Sequence, residues 1–312
     1  MEAGVGAQGA RTRSRRLTPA LRARPLTLAL VRDYVTLTKP RIISLLLLTT
    51  VATMFVADPS GPAVATILWT MLGGYLAAGG AGAINHYLDR ERDAGMSRTR
   101  GRPLVSGRIE PSHGLVFGIA LGALAFVQLW LTVNLLAASL AMAGLLGYVF
   151  VYTLWLKPLT PQNIVIGGAA GAVPPLVGWA AATGSLTAEA LWPFAIVFLW
   201  TPPHFWALSL LIKDDYARIG VPMLPVVRGE AETRRQIVIY CAILVGATIA
   251  PVLTGLFGTA YLVAALLLGS AFLGLSLRLR ARPGRRAALR LYLFSLAYLA
   301  LLFVAMAVDR VA

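Results

Sequence analysis

The sequence predicts an all-α integral membrane protein, a bundle of nine transmembrane helices, and three observations carry that reading. Hydrophobic residues make up 58% of the 312 positions and charged residues only 13%, against about 25% charged residues in soluble domains. Mean hydropathy is +0.73. Apolar runs of span length, about 20 residues each, recur along the chain with short polar segments between them, which leaves no room within it for a large extramembrane domain.

The runs lie near 42–57, 62–88, 112–132, 134–156, 162–182, 187–212, 235–256, 259–277 and 288–308. The boundary at Asn134 is the weakest, because no charge separates the third run from the fourth. Together those two runs cover 45 residues, too long for one helix, so length places a hairpin there.

Charge gives the bundle a direction. Lys and Arg total 28 against 13 Asp and Glu, a net of +15. In a soluble chain that excess suggests nucleic acid; here the positive-inside rule explains it, and no nucleic-acid partner is expected. With the N-terminus cytoplasmic, 27 of the 28 basic residues fall on the inner side, and only Arg310 lies outside with Asp58, Glu189 and Asp309. The expected location is a bacterial plasma (inner) membrane, with the C-terminus outside.

Residues 1–38 read as a basic, disordered arm resting on anionic membrane lipid, and 39–312 as the membrane domain. The arm has no uninterrupted apolar core, which argues against a cleaved secretory signal. A mitochondrial transit peptide shares the Arg-rich, acid-poor composition, so that reading stays open. One cysteine, Cys241, rules out an internal disulfide or CxxC site, and three histidines make a multi-histidine metal centre an unpromising reading.

Two inner loops hold nearly all the inner-side acidic residues. In the first, Asn85, Asp89 and Asp93 are spaced i, i+4, i+8 and share one face of a helix at the cytoplasmic end of the second span. Three oxygen-bearing groups on one stripe suit Mg²⁺, which takes one or two carboxylates together with substrate phosphates. Arg98 and Arg102 follow as guanidinium clamps for phosphate oxygens. The plainer alternative is a pair of surface salt bridges, Asp89 with Arg92 and Asp93 with Arg90. The second loop, Thr201 to Pro225, again closes an apolar span with acids, Asp214 and Asp215, beside Lys213. It lies four spans after the first, so both loops return to the same membrane face and can converge on one cytoplasm-facing cavity.

Within the spans, Pro174-Pro175 and Pro202-Pro203 interrupt backbone hydrogen bonding, which membranes tolerate only where protein or a cavity re-satisfies the freed groups. The clusters Gly73-Gly74, Gly79-Gly80-Ala81-Gly82 and Gly167-Gly168-Ala169-Ala170-Gly171 allow close helix approach. No strand precedes them, so they are not phosphate loops. Three lysines stand among 25 arginines, and Lys39, Lys157 and Lys213 all fall at inner span boundaries. They read as sites for a compact point charge. His86 points away from the acidic stripe and reads as interfacial.

The NxxxDxxxD pattern of Asn85, Asp89 and Asp93 resembles the first aspartate motif of the intramembrane UbiA prenyltransferase superfamily. Three further segments, Tyr34–Ile42, Thr160–Trp179 and Thr201–Pro225, narrow the resemblance to its protohaem IX farnesyltransferase branch. It runs from about Tyr34 to the last span, and the Thr-Pro-Pro-His-Phe-Trp and Asp-Tyr-x-x-x-Gly-x-Pro-Met-Leu-Pro segments are its most specific parts.

That resemblance implies a central cavity opening to the cytoplasmic side. It also implies Mg²⁺-dependent ionisation of farnesyl diphosphate, and transfer of the farnesyl group to a vinyl of haem b with addition of water, giving haem O. A haem A synthase or terminal oxidase assembly is the partner implied for the product. On this reading Asn85, Asp89, Asp93, Lys213 and Asp215 are catalytic, and Asn85, Asp89, Asp93, Asp214 and Asp215 hold metal. Lys39, Arg41, Arg98, Arg102, Lys157 and His204 bind substrate, His204 at haem iron or a propionate.

The chain departs from the superfamily pattern at two places. Arg218 stands where a second DxxxD motif beginning at Asp214 would end, and Pro158 follows Lys157 where a basic residue is expected. Two other functions compete: prenylation of an aromatic quinone precursor, and solute transport through broken helices.

Overall fold

The computed structural model describes residues 27–312, and residues 1–26 of the arm read at 1–38 lie outside them. Among the described residues there is no strand. Nine helical segments among those residues are long and apolar enough to span a membrane, matching the sequence reading in number and order.

The first three spans are α2 (Pro40–Ala57), α3 (Val64–Leu88) and α5 (Pro111–Thr132). The fourth, Leu135–Leu159, is composite. It runs as α6 (Leu135–Leu146), a π-helix over Gly147–Leu156, and the short α7 (Lys157–Leu159). Then come α8 (Asn163–Thr183), α9 (Leu191–Leu211) after a 3-10 turn, α12 (Gly229–Leu253), α13 (Thr259–Ala281) and α14 (Arg285–Val311). Short helices α4 (Arg90–Ala94), α10 (Lys213–Arg218) and α11 (Leu224–Val227) lie in the two acidic loops.

Residues 28–38 correct the arm drawn to residue 38. They form α1 (Leu28–Thr38), capped by the Thr27 hydroxyl, which accepts from the Leu30 amide at 3.3 Å. Leu37 and Thr38 are buried against α3, and Asp33 pairs with Arg108 at 3.0 Å. A contiguous apolar run is not needed here, because one buried face and one ion pair hold the helix.

The hairpin at Asn134 has a local cause. Its side-chain oxygen accepts from the Ala137 amide at 2.8 Å, capping α6, while its amide nitrogen donates to the Ala180 carbonyl at 2.8 Å. The seventh span begins at Gly229, six residues before the apolar run at 235. Arg234–Glu230 at 3.2 Å and Arg235–Glu232 at 2.8 Å sustain the helix through those charged turns. Hydropathy cannot register such pairs.

The helices form two groups joined by α2 and by the packing of α8 on α9. On one side α3, α5, α6 and α8 bury Leu129, Ala137 and Val177 with Met54 of α2; on the other, α9, α12, α13 and α14 bury Ile196, Leu244, Phe272 and Phe303. α2 contacts both α8 and α14. Most of the clustered glycines act as expected, though Gly171 faces open space. A Cβ on Gly80 would sit 2.7 Å from the Gly118 carbonyl oxygen of α5, and one on Gly178 would overlap the Thr50 carbonyl of α2. The tandem prolines do not break their helices; both pairs lie inside continuous α8 and α9. Pro174 and Pro175 leave the carbonyls of Ala170 and Gly171 without helical donors, and those two residues line a cavity.

Candidate active site

An apolar cavity lies between α2, α3, α6 and α8. Ile42 to Thr50 of α2 and Gly82 to Gly74 of α3 form two of its walls. Each covers nine residues, about 12 Å of helix from first to last. Lys39, Thr38, Gly82 and Tyr148 surround its mouth.

Just beyond the mouth stands the acidic stripe. Asn85, Asp89 and Asp93 are all buried, because α1 and the 90–108 segment cover the end of α3. Asn85 Nδ2 donates to Asp89 Oδ2 at 2.8 Å and to Thr153 Oγ1 at 3.2 Å, while Lys39 Nζ donates to Asn85 Oδ1 at 2.7 Å. Lys157 Nζ reaches Asp89 Oδ2 at 2.5 Å, and Arg102 pairs with Asp93. Three stretches far apart in sequence, at Lys39, 85–102 and 153–157, therefore meet at one point.

The cluster holds three inward cations against two carboxylates, an excess that favours an anionic ligand. Burial, with the charges of Arg102 and Lys157, pushes the Lys39 ammonium down to about 7 against the opposing pull of Asp89 and Asp93. The plainer salt-bridge reading holds for one pair only: Arg92 lies 3.4 Å from Asp89, but Arg90 bonds Glu91 and the Tyr87 carbonyl rather than Asp93.

The second acidic loop does converge on the first. Ser97 Oγ donates to Asp215 Oδ2 at 2.8 Å, and Arg218 donates to Asp215 Oδ1 at 2.8 Å and to the Gly95 carbonyl at 3.3 Å. The Ser97 bond and then Arg218 hold the Asp215 carboxyl below its ordinary range. Arg218, basic where the superfamily pattern has an acid, thus ties the loops together.

The structure separates the remaining sequence-derived candidates. Lys213 turns outward to Glu230 at 2.7 Å, and that bond raises its ammonium above the usual lysine range. Asp214, Arg98 and Arg41 are exposed. His204 is not among the cavity-lining residues; its Nδ1 is 2.6 Å from Ser295 Oγ, and its ring stacks between Trp200 at 4.2 Å and Tyr292 at 4.9 Å. His86 is buried, not interfacial, and its Nδ1 has no partner.

Besides the hydroxyls of Thr153 and Ser97, the residues missed by sequence reasoning are aromatic. Tyr148 and Tyr152 stack at 5.4 Å on the π-helix, with Lys39 Nζ 5.9 Å from the Tyr148 ring centre. Thr153 Oγ1 donates to the Tyr148 carbonyl five residues back, at 2.9 Å, a π-type spacing. π-helical turns recur at functional sites, but their i, i+5 bonding leaves no periodicity that hydropathy can read. Tyr216 of α10 is a third buried tyrosine; burial is the first cause that pushes its phenol up to about 12, and charges at Arg98, Asp89, Arg102 and Asp93 also act on it.

Hard oxygen donors from Asn85, Asp89 and Asp93 on one stripe fit a magnesium ion that completes its shell with phosphate oxygens and water. No cluster of three or more His, Cys, Asp or Glu occurs among the described residues, so the protein does not supply a closed all-carboxylate cage. An open site facing a positively charged mouth suits a metal that arrives with a diphosphate.

The pattern of the UbiA prenyltransferase family matches residues 46–306. A protein from Roseiflexus sp. (strain RS-1) named protoheme IX farnesyltransferase is 57% identical over 283 residues, 91% of this chain and 53% of its own length. One of the same name from Symbiobacterium thermophilum is 54% identical over 282 residues, 89% of this chain and 94% of its own length. The chain spans about half the length of the first of these and of several other curated relatives that it matches.

Among solved structures, a digeranylgeranylglyceryl phosphate synthase superposes with a TM-score of 0.74 at 18% identity, covering 91% of this chain and 99% of that one. A UbiA homologue from Archaeoglobus fulgidus, solved with DMAPP and Mg²⁺, gives 0.62 at 16% identity over 88% and 99%. The span count, the oxygen-donor stripe at the cavity mouth and the match over residues 46–306 agree: the chain belongs to the UbiA prenyltransferase family.

Proposed function

We propose that the chain transfers the farnesyl group of farnesyl diphosphate to a vinyl group of haem b, with addition of water, giving haem O and diphosphate. The observation that carries this reading is the buried cluster of Asn85, Asp89, Asp93, Lys39, Lys157 and Arg102 at the mouth of an apolar cavity. Haem as acceptor is supported by the name shared by relatives 57% and 54% identical.

Lys39, Lys157 and Arg102 exchange their carboxylate and amide partners for diphosphate oxygens as the donor enters. Asn85, Asp89 and Asp93 hold Mg²⁺, which supplies Lewis-acid stabilisation to the leaving group. The C1–O bond breaks and diphosphate leaves with the electron pair. The Tyr148 ring faces the head of the cavity, where its π-face stabilises positive charge on the allyl group. The apolar walls keep water from that cation until the vinyl carbon attacks. Water then adds a hydroxyl to the other vinyl carbon and a proton is released.

Asp215 orders the first loop through Ser97. The outward positions of Lys213, Asp214, Arg98 and Arg41 favour anchoring and loop support over contact with diphosphate, and His204 braces α9 against α14. The positive-inside pattern supports a bacterial inner membrane with the mouth facing the cytoplasm.

Purified full-length protein in detergent, given haem b, farnesyl diphosphate and Mg²⁺, yields a haem heavier by one farnesyl and one hydroxyl group in mass spectrometry. No haem product, with prenylation of a phenolic acid instead, moves the chain to the quinone-precursor branch. Solute accumulation in proteoliposomes that survives Asp89→Ala moves it to transport.

A further inference from the structure

A second pocket lies at the end of the bundle opposite the acidic loops. Glu189, Trp192, Thr254, Leu256 and Arg310 line it, at the start of the sixth span and the ends of the seventh and ninth. Arg310 is the sole basic residue that the topology puts on this side. Its Nε donates to the Val56 carbonyl at 3.2 Å and its Nη1 to the Leu256 carbonyl at 3.5 Å. These bonds fix the guanidinium but leave its charge uncompensated. The neighbouring carboxylate, Asp309, is committed to the Gly258 and Tyr261 amides at 2.7 and 3.0 Å.

Glu189 lines the same pocket, yet neither it nor Arg310 takes part in an ion pair among the described residues. Opposite charges therefore face one hollow without meeting across it. We propose that this pocket binds the headgroup of a zwitterionic phospholipid, with the phosphate on Arg310 and the ammonium between Glu189 and the Trp192 ring. Guanidinium N–H groups left free by the two carbonyls match phosphate oxygens, and an ammonium gains from both a carboxylate and an indole face. A lipid is favoured over a soluble zwitterion because the pocket opens at the ends of spans and beside Leu191 and Leu253. These are 58% and 84% exposed and offer apolar contact to acyl chains. An anionic headgroup would instead meet Glu189.

The test is native mass spectrometry of the whole protein with equimolar dioleoyl phosphatidylethanolamine and phosphatidylglycerol. Wild type retains the ethanolamine lipid over the glycerol lipid by about threefold, the scale of an exposed ion pair. Glu189→Gln, an exposed position remote from the fold's core, reverses that preference because it leaves a purely cationic pocket. Arg310→Gln lowers retention of both lipids. Equal retention by wild type, or an unchanged ratio in Glu189→Gln, overturns the proposal. So does binding of free phosphoethanolamine as tight as that of the lipid, which would make the ligand a soluble solute. None of these readouts depends on prenyl transfer.

Discussion

Lys39 reaches Asn85 from a left-handed backbone. Its φ and ψ are 59° and 55°, it is the one described non-glycine residue with positive φ, and its ammonium donates to Asn85 Oδ1 at 2.7 Å. The chain turns sharply there between α1 and α2, so the strained residue sets the position of a cation at the cavity mouth. The left-handed conformation costs an L-residue about 1 kcal/mol that glycine does not bear. Lys39→Gly and Lys39→Ala should both lose most prenyl transfer through a raised KM for the diphosphate. Lys39→Gly should nevertheless unfold at the higher temperature, as read by thermal denaturation in detergent.

Burial also gives Lys39 a pH signature. With its ammonium pushed down to about 7, the side chain is charged below that pH and neutral above it. Affinity for farnesyl diphosphate should therefore be greatest near pH 6 and fall through pH 8. Arginine stays charged throughout this range, so Lys39→Arg should flatten the profile. Diphosphate binding measured from pH 6 to 8 checks this, and a flat wild-type profile would count against Lys39 as a phosphate contact.

Asp89 joins three partners, Asn85, Lys157 and Arg92. Asp89→Asn keeps the shape but removes the charge that offsets two cations and helps to hold metal. Turnover should drop about 100-fold or more, and cells relying on this variant should accumulate haem b at the expense of haem O. Chelation should abolish wild-type activity, and added Mg²⁺ should restore it.

Gly171 lines the cavity, and a Cβ there would meet nothing within 4 Å. Gly171→Ala should fold at least as stably as wild type, since alanine favours a helix by about 1 kcal/mol. Gly171→Leu should fill the cavity and shift kcat/KM from farnesyl toward geranyl diphosphate. Gly178→Ala, against the Thr50 carbonyl, should instead destabilise the protein by forcing α2 and α8 apart.

Span number, span order and the acidic stripe could all be read from the chain before any fold was known. Hydropathy and length are local quantities, and so is the helical period of Asn85, Asp89 and Asp93; α3 ends at Leu88, but the Asp89 amide still donates to the Asn85 carbonyl at 2.9 Å and the Asp93 amide to the Asp89 carbonyl at 2.8 Å, which carries that register into α4. The meeting of the two acidic loops followed from an even number of crossings. Which cations belong to the site did not. Lys39 and Lys157 enter it, while Lys213, equally placed at a span boundary, turns out to Glu230. Arg102 enters and Arg98 stays exposed, though both follow the same motif.

His204 has a Ser295 partner 91 positions away, and Lys157 finds Asp89 across 68. The paired tyrosines depend on a π-helix that leaves no hydropathy trace. Side-chain direction at a helix end is set by partners distant in sequence, whose proximity exists only after the bundle has closed. Composition and period determine that this chain spans a membrane and presents carboxylates at one side of it. Packing of α1, the 90–108 segment and the π-helix around the end of α3 determines which charges are buried beside them.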